Sequence, residues 1–372
     1  MSQIQKIEQF RKELALAETY EDIKSLDAKA SAIAEFARRN RVSKQKQDEL
    51  GEFRIEIEAK KGAWLDEFFP YGGDNVSTKA RSKNSTLVDV GIGKDESANA
   101  RLISKEQEIV RDVVEQLKKD DKQVVTPYSV QREIRKIKKA EKKEALQKAA
   151  ESVSDEDSKF ITDIEPGWHK IGNQHLYYGS NTDDEFIGKL PKAKFAFADP
   201  PYNAGVDDWD HNFIWQQDYL QDIADVVAVT PGGWNAYGFY KTTEMNYQWE
   251  IACWIKNGMT HGRCGYANWI KVSVFGKEKP KIQQDHFSIT IKTSETEHTF
   301  HKGRKPYPLM ANLIEMFSDE GETIIDPFAG SGTTLLMSEK LNRISYNAEL
   351  DKQYCIDIIN RCITNGMFYD RI

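Results

Sequence analysis

The pattern of apolar and polar positions changes period partway along this chain. Ile4, Ile7, Phe10, Leu14 and Ala17 recur at helical spacing, as do Ile23, Leu26, Ala30, Ile33 and Phe36 or Ala37. That spacing predicts amphipathic helices across residues 1–68, whose apolar stripes line a core or a coiled dimer contact. Residues 70–85 are rich in Gly, Asn, Ser and Thr and predict a loop. Residues 128–150 predict a charged helix carrying Arg132, Arg135, Lys136, Lys138, Lys139, Lys142 and Lys143, with few apolar positions. Such a run is a solvated face or linker helix, with contact to phosphates as the sharper reading. The acidic stretch from Glu151 to Asp157 then predicts a hinge. The expected organisation is a helical domain over 1–150, a hinge over 151–160 and a second domain over 161–372.

Beyond the hinge the pattern is one of short apolar runs. Phe195-Ala196-Phe197-Ala198 runs into Asp199-Pro200-Pro201-Tyr202-Asn203. An apolar run bounded by prolines predicts a buried strand that stops where Pro removes the ladder donor. Two consecutive prolines hold the Asp199 side chain and the carbonyls of Asp199 and Pro200 rigidly at the strand's end. Tyr202 adds a flat ring beside these acceptors. Such a set suits an exocyclic amino group on a stacked base.

A second apolar run, Thr323-Ile324-Ile325, leads into Asp326-Pro327-Phe328-Ala329-Gly330-Ser331-Gly332-Thr333-Thr334. The glycines allow a tight turn and close approach of a ligand, and the helix that follows offers free amides to a carboxylate or phosphate. No Lys follows the glycines, which excludes a Walker phosphate loop. Ile344-Ser345-Tyr346-Asn347-Ala348-Glu349 predicts another strand ending in an acid, the arrangement that binds ribose hydroxyls in nucleotide folds.

Asp199-Pro200-Pro201-Tyr202 resembles the catalytic motif of the amino-group DNA methyltransferases, which methylate adenine N6 or cytosine N4. The string around Gly330 and Gly332 resembles the S-adenosylmethionine (SAM) loop of the same family. The catalytic motif precedes the cofactor loop here, the permuted order of the family's beta group. His301-Lys302-Gly303-Arg304-Lys305-Pro306 resembles the stretch that opens the family's cofactor half.

The resemblance implies a Rossmann-like α/β fold with a seven-stranded, mostly parallel sheet over roughly residues 160–365. It implies Asp199, Pro200, Pro201 and Tyr202 as catalytic residues. It implies Asp326, Phe328, Gly330, Ser331, Gly332, Thr333, Glu349 and Lys305 at the cofactor, with Lys305 or its adjoining backbone facing the methionine end. Similar enzymes end an early strand in Gly-Asp, whose acid places the cofactor's adenine. This chain has Gly179-Ser180-Asn181, so Ser180 is the expected contact, with Asp183 or Asp184 as substitutes. The expected reaction is methyl transfer from SAM to a flipped base in double-stranded DNA. Adenine N6, the commoner outcome in the family, is expected ahead of cytosine N4. The rivals are a non-catalytic DNA-binding regulator that keeps the fold, and an RNA or protein amide methyltransferase, which the motif order disfavours.

Composition adjusts this picture. Net charge is −7, yet the first 150 residues are net basic and the remainder net acidic, so the N-terminal part is the better candidate for phosphate contacts. Ser85 to Leu102 predicts a short helix, a Gly turn and a second helix. It resembles a segment of the helical DNA-binding domains of partition-type proteins, with Gly93 in place of the usual Ser. Lys94, Ser97, Asn99 and Arg101 are the expected DNA contacts. Only residues 278–299 are left over for a recognition region between the two halves, so the N-terminal domain is expected to carry much of the recognition. Trp209, in an acidic loop after the catalytic motif, is a candidate cover for the flipped base. Cys253, Cys264, Cys355 and Cys362 have neither zinc-pair nor disulfide-framework spacing. No signal segment or membrane-spanning run is evident, so a cytoplasmic protein of a prokaryote or phage-infected cell is expected. No metal is expected. A homodimer fits the N-terminal stripes, and a cognate restriction enzyme is left open.

Overall fold

A computed structural model describes residues 3–70, 87, 91–156, 159–203, 205, 212–258, 260–262, 265–277, 280, 284–291 and 303–371. It divides into two compact units, Met1–Lys142 and Lys143–Ile372.

The first unit is helical: α1 (Gln3–Leu16), α2 (Tyr20–Arg39), α3 (Lys44–Phe68), α4 (Lys94–Lys105), α5 (Gln107–Lys119) and α6 (Pro127–Glu151), whose last turns belong to the second unit. Thr19 and Asp22 close a capping box at the start of α2, satisfying two amides that lack intrahelical partners. The apolar stripes read from the sequence meet here. Ile7, Leu14, Ile23, Leu26 and Ala30 gather with Leu50, Phe53 and Ile57 of α3 into one core. Ile55 joins Ile103, Val110, Val113, Val130 and Ile134 in a second. These helices therefore spend most of their apolar stripes within the unit, although Leu16, Phe36 and Phe68 are exposed.

Arg101 lies in that interior, 3 % exposed. Its guanidinium donates to Asp66 at 2.6 Å and to the carbonyls of Leu65 and Phe69. Breaking a buried pair leaves a charge without its partner. Asp66 is partly exposed, so Arg101→Ala is expected to destabilise the unit by roughly 2–4 kcal/mol, read as a fall in the urea midpoint of the helical signal.

The second unit is built on a ten-stranded sheet of order β12-β1-β2-β11-β10-β3-β4-β8-β5-β9. In chain order these are β1 (Gly167–Ile171), β2 (Gln174–Tyr178), β3 (Ala193–Ala198), β4 (Ala224–Val229), β5 (Tyr247–Ile255), β8 (Trp269–Phe275), β9 (His286–Ile289), β10 (Thr323–Asp326), β11 (Ile344–Glu349) and β12 (Tyr369–Arg371); β6 (Thr260–Gly262) and β7 (Gly265–Ala267) form a separate hairpin. The seven strands from β2 to β5 make the mostly parallel sheet expected from the sequence, with β8 antiparallel to both its neighbours. The expected count of seven falls short by β1 and β12 on one edge and β9 on the other. Here β1 pairs antiparallel to β2, β12 antiparallel to β1 and β9 parallel to β5, registers that no local pattern announces.

Helices cover both faces: α7 (Asp184–Lys189), α8 (Leu220–Ile223), α9 (Gly232–Thr242), α10 (Tyr307–Phe317), α11 (Thr333–Lys340) and α12 (Lys352–Thr364). Side chains alternate along a strand, and the central strands are buried on both sides. Phe195, Phe197 and Ile324 pack with α10, α11 and α12. Ala196, Ala198 and Ile325 pack on the opposite face with Trp215, Leu220 and Phe239. The Phe-Ala alternation thus puts bulk on one face and close approach on the other. Strands β3 and β10 are parallel neighbours, with Phe195 opposite Ile324. From this pair the chain moves outward in opposite directions, β3 to β4 and β10 to β11. Ligands bind at such a switch point, outside the carboxyl ends of the strands. Among the described residues no helix is long and apolar enough to cross a membrane.

Candidate active site

Asp199 follows β3 and Asp326 ends the adjoining β10. Residues far apart in sequence therefore meet at the switch point. One oxygen of the Asp199 carboxylate, Oδ1, accepts from the Tyr202 hydroxyl at 2.6 Å and from Thr230 Oγ1 at 2.5 Å. Oδ2 pairs with the ammonium of Lys305. Thr230 is 1 % exposed and stands just past β4, where its amide donates to the Ala198 carbonyl at 3.0 Å. The carboxylate plane is thus held from three sides.

Lys305 also lies 5.1 Å from the centre of the Tyr202 ring, a cation over a π face. Burial opposes the charge on Lys305, but Asp199 beside it prevails and raises the ammonium's pKa. Burial, and then the Asp199 charge, raise that of the Tyr202 phenol. Tyr202 is accordingly a neutral donor and a stacking surface at ordinary pH. Gly232 starts α9 at φ +65°, and a Cβ there would sit 2.7 Å from the Tyr202 ring. Only glycine combines that backbone with that closeness.

The cofactor-type loop follows β10. The Asp326 carboxylate accepts the Phe328 amide at 2.9 Å and is 2 % exposed. Burial pushes its pKa up to about 7. Gly330 and Gly332 turn with φ of +52° and +73°. Gly332 caps α11, so the first amides of that helix open toward the strand ends. Thr333 and Ser331 are buried beneath the turn, with their hydroxyl oxygens 3.1 Å apart.

Glu349 ends β11. Its Oε2 accepts the Gly330 amide at 2.8 Å and its Oε1 the Asp351 amide at 2.9 Å. Burial raises its pKa to about 7. The acid foreseen as a ribose partner therefore also anchors the glycine turn. Phe328 packs edge-on to Phe213, their ring centres 5.6 Å apart.

Ser180 stands beyond β2, its amide donating to Asp183 Oδ2 at 3.0 Å and its hydroxyl paired with Thr182 at 2.8 Å. The same Asp183 oxygen takes the Tyr177 hydroxyl. Neighbouring Asn181 reaches the loop directly, donating to the Pro327 carbonyl at 2.7 Å. Its own oxygen accepts from Gln217.

The structure thus gathers Asp199, Pro200, Pro201, Tyr202 and Lys305 at one side of the switch point and Asp326, Phe328, Gly330, Ser331, Gly332, Thr333 and Glu349 at the other. Lys305 was expected at the methionine end of the cofactor; the structure sets its ammonium on Asp199. Sequence reasoning missed Thr230. Its only local signal is a hydroxyl at the end of an apolar run, immediately before Pro231-Gly232.

The DNA-facing set changes more. Ser97 and Arg101 are 5 % and 3 % exposed, so neither side chain can reach a duplex from the surface of its unit. Their helical register pointed outward only because the helix that covers them, α3, is remote in sequence. Lys94 is exposed. Asn99 is half-buried and accepts from Arg135. The expected first helix of the helix-turn-helix, Trp209 and most of 278–299 lie outside the described residues.

Residues 214–361 match the N6/N4 methyltransferase family model, described as DNA methylase. That span holds the Lys305 stretch, the glycine loop and Glu349, and begins after Asp199. The type II methyltransferase M.HindIII of Haemophilus influenzae is 30% identical over 129 residues, 33% of this chain and 36% of that protein. The putative methylase YubD of Escherichia coli K12 is 23% identical over 175 residues, 43% of this chain and 77% of that protein. The chain spans about a third of M.HindIII and 19% of M.BglII of Bacillus subtilis. Among solved structures, the M1.HpyAVI–SAM complex aligns with a TM-score of 0.40 and 17% identity, over 50% of this chain and 99% of that one. The cytosine-N4-specific PvuII DNA methyltransferase aligns with a TM-score of 0.40 and 14% identity, over 55% and 90%. The family-model match and the M.HindIII relative bear out the resemblance to amino-group DNA methyltransferases.

Proposed function

We propose that this protein transfers a methyl group from SAM to the exocyclic amino group of a base in double-stranded DNA, with adenine N6 as the acceptor. The observation that carries this reading is the meeting of Asp199-Pro200-Pro201-Tyr202, beyond β3, with the glycine turn beyond β10 at one switch point. The residues fit the cofactor. Glycines in the left-handed region turn the chain into the start of α11, whose first amides have no partner within the helix and suit a ligand, and Glu349 offers acceptors to ribose hydroxyls. SAM supplies an electrophilic methyl on a sulfonium.

The chain's own part is positioning and electrostatics. The amino group's lone pair is delocalised into its ring. Asp199 Oδ2 and the Pro200 carbonyl accept its two hydrogens, which favours tetrahedral nitrogen and frees the lone pair. Lys305 occupies Oδ2 in the structure, so the incoming amine shares or displaces that ammonium. Asp199 takes up the proton that the nitrogen sheds once methylated, so it need not be a strong base beforehand. Tyr202 stacks on the base outside the helix.

The test uses purified protein, labelled SAM and unmethylated genomic DNA, digested to nucleosides and resolved by mass. N6-methyldeoxyadenosine is expected. N4-methyldeoxycytidine would keep the mechanism and change the base. No methylated nucleoside from DNA, with SAM bound, would overturn the reading.

We further propose that the N-terminal unit holds the duplex through the basic face of α6, where Lys139 and Lys142 are exposed. Replacing both with Ala is expected to reduce the slope of log affinity against log salt by about two, roughly one per phosphate contact. Fluorescence anisotropy with a labelled duplex at several salt concentrations reads it, and an unchanged slope would remove α6 from the interface.

A further inference from the structure

A cleft opens beside Pro200, lined by Phe213, Trp215, Pro231, Asn235 and Phe239 among others. Its walls are flat and apolar. Trp215 and Phe239 meet edge to face with ring centres 4.9 Å apart.

The polar side chains of this lining divide by partner. The Trp215 indole N–H donates to Asp218 at 2.6 Å, leaving the ring only its faces to offer. The Thr242 hydroxyl donates back to the carbonyls of Gly238 and Phe239. Asn235, on the first turns of α9, is half-buried and makes no hydrogen bond to another described residue. A half-buried amide without a partner among the described residues, in an otherwise apolar slot, is a group held ready for a ligand. Gly238 on the next turn keeps it there: a Cβ at that position would come 2.7 Å from Asn235 Oδ1.

We infer that this cleft takes the ring of the target base and that Asn235 is a specificity-determining residue that reads its edge. The inference rests on the methyl-transfer reading and adds the second half of base recognition to it. The chemistry fixes which half of the amide acts. Once Asp199 and the Pro200 carbonyl hold the amino group, the polar atoms left on adenine are the ring nitrogens N1, N3 and N7, and on cytosine they are N3 and O2. All are acceptors. Asn235 must therefore donate, through its NH₂ group. Phe213 and Trp215 supply apolar surface, a contact that every base accepts, so discrimination falls to the amide.

The test compares full-length wild type, Asn235→Ala and Asn235→Asp on unmethylated genomic DNA, by rate of methylated nucleoside formed and by SAM affinity measured calorimetrically. A lost hydrogen bond to the base is expected to lower kcat/KM for DNA about 10- to 100-fold in Asn235→Ala. Asn235→Asp keeps the shape but turns a donor into a carboxylate facing acceptors, and is expected to be the worse of the two. SAM affinity stays unchanged in both. A purely structural asparagine would show the reverse order, with the isosteric Asp milder than Ala. That order, or wild-type kcat/KM in both variants, would overturn the inference while leaving the methyl-transfer reading standing. Wild-type protein that binds SAM yet methylates no base would overturn both.

Discussion

Asp199→Ala is expected to abolish measurable methyl transfer, by roughly 10²–10⁴-fold, while SAM affinity changes by less than a few-fold. The carboxylate is the acceptor at the end of β3, and among the described residues no second acid of the site points at the same place: Asp326 is turned to the Phe328 amide and Glu349 to those of Gly330 and Asp351. Single-turnover formation of methylated nucleoside, beside calorimetric titration with SAM, separates chemistry from cofactor binding. Equal losses in both would mean that the substitution had collapsed the switch point. Thr230→Val refines the expectation. It removes one donor from Oδ1 and leaves a buried apolar contact of similar shape. The carboxylate then loses one of its three constraints, so kcat falls about tenfold with little change in the KM for DNA. Thr230→Ser restores the hydroxyl and most of the rate. A Val variant as fast as wild type would remove Thr230 from the positioning of Asp199.

Glu349→Gln is expected to weaken SAM binding by roughly one to two orders of magnitude, the worth of a charge-assisted hydrogen bond, and to flatten its pH dependence. Burial holds the Glu349 carboxyl near pH 7 instead of 4.5. In wild type the acid therefore charges between about pH 6 and 8. In the proposed role its charged form accepts from ribose hydroxyls and favours the cationic sulfonium, so the KM for SAM is expected to fall as pH rises through 7. Gln cannot titrate, and its profile stays level.

Stability runs the other way in the cofactor-free protein. A carboxyl raised by folding from 4.5 to about 7 makes the folded state the better proton binder between those two pH values. Stability then declines as pH climbs through that window, by at most about 1.4 kcal/mol for each pH unit crossed. Asp326, also raised to about 7, adds a parallel decline, so the Gln variant should lose only part of the slope. Melting temperatures at pH 5 and 8 show it, and a slope unchanged by the substitution would mean that Glu349 does not titrate in this window.

Much of the second unit was legible in the residues alone. Proline after an apolar run ends a strand for local reasons, and glycines before a helix start make a turn for local reasons. Asp199-Pro200-Pro201-Tyr202 and the Gly330–Gly332 loop therefore declared their conformations. The helical stripes of the first unit declared themselves through periodicity alone. Misreadings arose where a side chain's environment is made by remote segments. Arg101 looked like a surface cation on a polar helix; α3 and the carbonyls of Leu65 and Phe69 enclose it. Strands β1, β9 and β12 are short, and their place depends on edges that other strands leave open.

The sequence by itself determined the two rigid motifs and the order in which they occur, because backbone restriction by proline and glycine acts over a few residues. Only the tertiary structure decided that β3 and β10 lie side by side, that Thr230 and Lys305 close on the Asp199 carboxylate, and that Asn235 faces a cleft with its amide unspent. Those relations come from strand pairing and helix packing between segments from tens to more than a hundred residues apart, where nothing in the local sequence records the neighbour.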